Sequence, residues 1–214
     1  NDFTSSGQTQ LNNLNNELPI SAQSKGVASD GITIVSDALQ LLINENIGKK
    51  IIIGLDKTAV FLIDKAIYIP ANSNLEINGI IKLANGNIRP LLANLSNGAN
   101  STTVTDAGTY FKVGQKIVIS DDNQPINGGG AWKTRKVGQT NTIQSIIGNT
   151  ITFTNAFSNW FNGGVTTGAN ARISQANNAF IIDGSNNVLI YGNGIIDGNL
   201  ANQFNIAGAN YNRT

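Results

Sequence analysis

The sequence predicts an all-β chain: a solenoid of very short strands, opened by one helix and interrupted by an antiparallel β insertion. Three observations predict it. Gly is abundant, at 23 of 214 residues, Asn is frequent and Pro is rare, at four. Gly and Asn tolerate the left-handed backbone of tight turns, so such a chain reads as many strands joined by many turns. The stretch "NNVLIYGNGIIDGN", Asn186 to Asn199, twice alternates a few apolar residues with Gly, Asn and Asp. That rhythm is the signature of a solenoid whose repeat is one turn of backbone. One well-formed helical face, Val35, Ala38, Leu39, Leu42 and Ile43, precedes the first strands.

Composition removes several function classes. The chain has no Cys and no His, which excludes disulfides, Cys or His zinc sites, His general bases and Ser-His triads within it. Charged residues make up 13% and net charge is +1, so the dense basic face of a nucleic-acid binder is missing. No apolar run approaches the roughly 18 residues that span a bilayer. The chain begins "NDFTSSG", with neither Met nor an apolar signal segment, and reads as a mature, trimmed or partly observed product. At this length a folded chain buries about 70% of its unfolded surface, so it needs no covalent staple.

Taken in order, residues 1–25 are a polar leader in which Leu11, Leu14 and Leu18 form a narrow stripe at i, i+3 and i+7, closed by Pro19. One heptad cannot hold a lone helix in water. The stripe is expected to be a short helix docked on its own domain, to be a disordered leader, or to end an oligomerising neck. Residues 26–93 are expected to hold the helix, from about Thr33 to Asn46, and the first solenoid coil. Thr33 or Ser36 is expected to cap the helix start and Gly48 to end it. "KKIIIGL", "AVFLID", "AIYIP" and "LEINGIIKL" read as strands, with turns at Asn72 to Asn74 and at Asn78-Gly79.

Residues 94–176 break the rhythm and read as the antiparallel insertion. "VGQKIVISDD" is a strand, and "TIQSIIGNTITFT" is a hairpin turning at Gly148-Asn149, with Ile143, Ile147, Ile151 and Phe153 on its strands. Between them "DDNQPINGGGAWKTRK", Asp121 to Lys136, reads as a long exposed loop. Residues 177–214 resume the solenoid, which is expected to continue beyond Thr214.

The rhythm resembles the right-handed parallel β-helix of the pectate-lyase superfamily, which includes polygalacturonase-like enzymes and bacteriophage tailspikes. "SKGVASDGITIVSDALQLLI" is similar to the family's opening segment, with Gly26, Asp30, Gly31, Thr33 and Gln40 matching and Val27 where Ala is usual. "IYIPANSNLEINGIIKL" resembles a first coil. "NNVLIYGNGIIDGN" resembles the recurring coil, with Asn187 at the turn and Asp197-Gly198 closing a strand. The resemblance covers about half of the chain and implies a helix that caps the solenoid. The Asp pairs and His motif of polygalacturonases and the calcium-dependent pattern of pectate lyases are missing, so no catalytic residue is assigned.

Candidate sites are few. Trp132 and Lys136, which share one face of a strand in "AWKTRK", and Trp160 in "SNWFNGG" are the carbohydrate-binding candidates. A Trp ring stacks on apolar sugar faces and a cation suits sugars that carry carboxylates. The competing expectation is that each Trp packs its loop onto the core, with Phe157 and Phe161 beside Trp160. Asp183 and Asp197 are the carboxylate pair that glycoside hydrolysis would need, although Asp before Gly is also a common turn pair. Asp121, Asp122 and Asn123 offer oxygen ligands to Ca²⁺, or are simply solvated acids in a turn. No metal and no cofactor are expected.

The function expected first is a homotrimeric, tailspike-like virion or surface-appendage protein that recognises, and in one version degrades, host surface polysaccharide. Its partners would be that polysaccharide, two further copies and other virion proteins, outside the cell, with no nucleic acid and no membrane span. The alternatives are a secreted polysaccharide lyase or glycoside hydrolase whose active coils lie beyond residue 214, and a purely structural connector.

Overall fold

The structure, a computed structural model, describes residues 18–125, 136–158, 171–176, 178–199 and 203, with the side chains of 122–125 and 136–137 excepted. In chain order the first strands are β1 (Ile20–Ser21), β2 (Asp30–Ile34), β3 (Lys50–Ile53), β4 (Val60–Ile63), β5 (Ile67–Tyr68), β6 (Asn74–Ile77) and β7 (Ile80–Leu83). Then follow β8 (Ile88–Pro90), β9 (Ser101–Thr103), β10 (Lys116–Pro125), β11 (Lys136–Ile147), β12 (Thr150–Phe153) and β13 (Ala171–Gln175). The last are β14 (Phe180–Ile181), β15 (Leu189–Tyr191) and β16 (Ile195–Asp197). The helices are α1 (Ser36–Glu45) and the single turn α2 (Ala107–Tyr110). Two compact units result, one within Asn1–Ala84 and Asn178–Gly198, the other within Asn85–Asn177 and Asn199–Thr214.

The first unit is built from parallel sheets. β1, β3, β6 and β15 form sheet A, β2, β4, β7 and β16 form sheet B, and β5 pairs with β14 in sheet C. The chain passes from A to B in every circuit and then to C, except in the first, where α1 follows β2 and no sheet C strand forms. Strands of two to five residues suffice because each needs only to cross one face before turning. On β3, β4, β6 and β7 burial alternates strictly, and the inward residues stack in register: Ile51 on Leu75, Ile53 on Ile77, Phe61 on Ile81, Ile63 on Leu83. They share one core with Leu39, Leu42 and Ile43 of α1. After Ala84 the chain leaves, and at Phe180 it returns to pair with Ile67.

Glycines set the corner between sheets A and B. A Cβ on Gly79 would meet the Ala59 carbonyl oxygen at 2.7 Å and Gly54 Cα at 3.2 Å. One on Gly194 would meet the Gly79 carbonyl oxygen at 2.4 Å. Backbones at this corner approach too closely for any side chain.

The helix departs from expectation at its start and ends as expected, at Glu45 with Asn46 as the C-cap. It starts at Ser36, not Thr33, and its N-cap residue is Val35, with no side-chain cap. Thr33 lies on β2, where its N–H and hydroxyl both donate to Asp30 at 2.8 and 2.7 Å. Ser36 Oγ instead donates to Asp64 Oδ1 at 2.7 Å and accepts from the Asp64 N–H at 2.9 Å. Of the expected apolar face only Ala38 is exposed.

The second unit is antiparallel, in the order β8-β13-β10-β11-β12-β9. Its core gathers Leu91, Leu95, Phe111, Ile117, Ile119, Ile143, Ile151 and Phe153, with Phe157 edge-on to Phe153 at 5.1 Å. The hairpin turns at Gly148-Asn149 as expected. Ile147, however, is 79% exposed. A register shift between Ile143 and Ser145 slips the alternation by one, so Ile146 packs on the core in its place. The expected loop at Asp121 to Lys136 is corrected at its ends, while 126–135 lie outside the described residues. β10 runs on to Pro125, and Asp121 is fully buried in it, paired with Val137 and Ala171. It is therefore neither a solvated turn acid nor an open cation ligand.

Candidate functional site

Trp132 and Trp160 lie outside the described residues, as do Lys133, Arg135 and Phe161. Lys136 opens β11 opposite Pro125, and its side chain is outside them too. Asp183 follows β14 of sheet C, whereas Asp197 is the last residue of β16 in sheet B, so the two belong to different sheets. Asp183 is exposed and lines an open groove of about 400 Å³ with Gln40, Tyr68, Ile181 and Ser185. Among the described residues no cluster of three His, Cys, Asp or Glu could hold a metal, and no helix is long and apolar enough to cross a membrane.

The outer face of sheet A carries a different group of side chains. Because side chains alternate along a strand, Lys50 on β3, Glu76 on β6 and Tyr191 on β15 all point outward. Register brings Glu76 directly beside Tyr191 and leaves Lys50 diagonal to Glu76. Lys50 Nζ lies 2.5 Å from Glu76 Oε2. The Tyr191 hydroxyl donates to the same oxygen at 3.5 Å, and Asn78 Nδ2 donates to Glu76 Oε1 at 2.9 Å. Lys50 Nζ also sits 5.7 Å from the centre of the Tyr191 ring, within cation–π range.

These contacts hold both charges in place. Hydrogen bonding to Lys50, and then to Asn78, keeps the Glu76 carboxyl below the usual range. Glu76, and then Tyr191, raise the Lys50 ammonium above its usual value. The platform remains reachable: the Lys50 and Glu76 side chains are 35% and 21% exposed and Tyr191 is 40% exposed. Asparagines flank it at both strand ends, with Asn187 Nδ2 donating to Asn72 Oδ1 at 3.1 Å and the Asn193 N–H donating to Asn78 Oδ1 at 3.3 Å.

An aromatic face beside fixed donors and acceptors is chemistry for a polyhydroxylated ligand. Sequence reasoning marked the alternation at Leu75 to Asn78 and missed the platform. Tyr191 and Glu76 are 115 residues apart, and nothing local to either points to the other.

No family model and no curated protein matches the chain. Among solved structures it is similar to the Gp54 tailspike of Acinetobacter baumannii bacteriophage AP22 in complex with A. baumannii capsular saccharide. That match has 15% identity, covers 91% of this chain and 31% of that one, and has a TM-score of 0.35. It is similar to the tailspike protein gp49 from Pseudomonas phage LKA1 at 15% identity, covering 75% and 32%, with a TM-score of 0.34. It is similar to the Pseudomonas phage phi297 tailspike gp61 at 10% identity, covering 83% and 35%, with a TM-score of 0.36. The chain spans about a third of the length of each.

Proposed function

We propose that the first unit is the opening of a right-handed parallel β-helix in a tailspike-like virion or surface-appendage protein, one that recognises polysaccharide on a host surface. The observation that carries this is the exposed Tyr191 ring beside the Lys50–Glu76 ion pair, fixed on a stacked parallel sheet. A flat, rigid strand face presents such groups to an extended polymer without an ordering cost. The motifs at residues 24–43 and 186–199 support the same fold.

In this reading the second unit is an insertion between two coils, and Trp132, Lys136 and Trp160 are further contact residues for the polymer. The chain works as a homotrimer held partly by Leu11, Leu14 and Leu18, because single-aromatic sites bind weakly and gain from several copies. The test is binding of the purified protein to capsular polysaccharides on a surface. Loss of binding in Tyr191→Ala and in Trp132→Ala, each with an unchanged melting temperature, supports recognition. A protein that retains no polysaccharide of any class refutes it. Release of new reducing ends in the same assay separates cleavage from recognition alone.

A further inference from the structure

We infer that the Lys50–Glu76–Tyr191 platform selects an electrically neutral pyranose, such as a hexose unit, over a uronic or other acidic sugar. The inference rests on the polysaccharide reading above and narrows it.

The argument is one of charge and hydrogen-bond inventory. Lys50 has three N–H donors, directs one to Glu76 and is also hydrogen-bonded to the Tyr191 side chain. The Glu76 carboxylate has about four acceptor positions. Lys50 and Tyr191 approach Oε2, and Asn78 donates to Oε1. What remains is about one Lys50 donor and about one Glu76 acceptor, side by side. Two neighbouring hydroxyls on one sugar ring match that set: one accepts from Lys50 Nζ and the next donates to Glu76. The apolar face of the same ring then lies against Tyr191.

A sugar carboxylate fits poorly. It would gain from Lys50 only by approaching Glu76, whose charge is held in place by its own partners. The platform is neutral overall, with one cation against one anion, so it exerts no net pull on an acidic polymer.

The experiment is a glycan array with neutral and acidic oligosaccharides, probed with the whole chain and three variants. The parent is expected to bind neutral members. Tyr191→Ala should weaken those hits about tenfold, while Tyr191→Phe, which keeps the ring, should retain them. Glu76→Gln frees Lys50 and should add acidic hits at low salt. Acidic hits on the parent that vanish in Tyr191→Ala would overturn the neutral selectivity and leave polysaccharide recognition standing. Neutral hits indifferent to Tyr191→Ala would overturn the platform as their site. An array with no hits would refute polysaccharide recognition itself.

Discussion

The Gln40 side chain pairs with both backbone groups of Tyr68. Its Oε1 accepts the Tyr68 N–H at 2.7 Å, and its Nε2 donates to the Tyr68 carbonyl at 2.9 Å. Tyr68 lies on β5, whose strand partner on one side is β14. On the side of α1 the amide of Gln40 makes the two bonds that a neighbouring strand's peptide would make. A helix thereby satisfies backbone that would otherwise be an open sheet edge.

Replacing Gln40 with Ala removes both bonds and should cost roughly 1–3 kcal/mol, read as a lower midpoint in urea with an unchanged slope. Gln40→Glu keeps the shape but sets a carboxylate against the Tyr68 carbonyl. Only its protonated form can donate there, so its folded pKa should lie above the unfolded value. That variant should match the parent in acid and lose stability as pH rises through the folded pKa. An equal loss at all pH values would show that shape alone matters at this position.

Gly79→Ala should be among the most damaging small substitutions in the first unit. The new methyl would press on the Ala59 carbonyl oxygen at 2.7 Å and the Phe61 ring at 3.1 Å. Overpacking of this kind costs about 1–3 kcal/mol. Gly108→Ala, where a methyl meets nothing within 4 Å, serves as the matched control. It lies inside α2 and should be neutral or slightly stabilising. Equal melting temperatures for the two variants would contradict the close approach of backbones at the corner.

Asp30 gives the fold a defined acid sensitivity. The Thr33 N–H, the Ile32 N–H and the Thr33 hydroxyl bring its carboxyl down to about 2. An unfolded Asp titrates near 3.9. Because the folded value is the lower one, the contribution is complete above about pH 4 and disappears as pH falls towards 2. Thermal melts in that window should fall more steeply for the parent than for Asp30→Asn. Parallel curves would mean that this turn does not stabilise the fold.

The proposed trimer predicts a concentration-independent trimer in sedimentation. Of its leucine stripe, Leu18 is 59% exposed, and Leu11 and Leu14 lie outside the described residues. Removing residues 1–17 should shift the protein towards monomer, since such a stripe is useful only against a partner surface. A monomer at micromolar concentration, with or without those residues, refutes the neck.

That the chain is mostly strand, with one helix of several turns, was legible in the sequence. Burial on alternate residues of strands, and at three- and four-residue steps on α1, is written locally, so "IIIGL", "VFLID", "LEINGIIKL" and the face at Val35, Leu39, Leu42 and Ile43 could be read from neighbours alone. The rhythm of short strands and the hairpin at Gly148-Asn149 were legible for the same reason. What meets across successive sheet circuits came from the fold. Gln40 finds Tyr68 28 residues away and Tyr191 finds Glu76 at 115, because parallel stacking places residues of successive circuits a strand spacing apart whatever their distance in the chain. It also decided that Ile147 faces outward and Asp121 inward. A one-residue register shift and the length of β10 follow from which strands pair, and local pattern does not encode pairing.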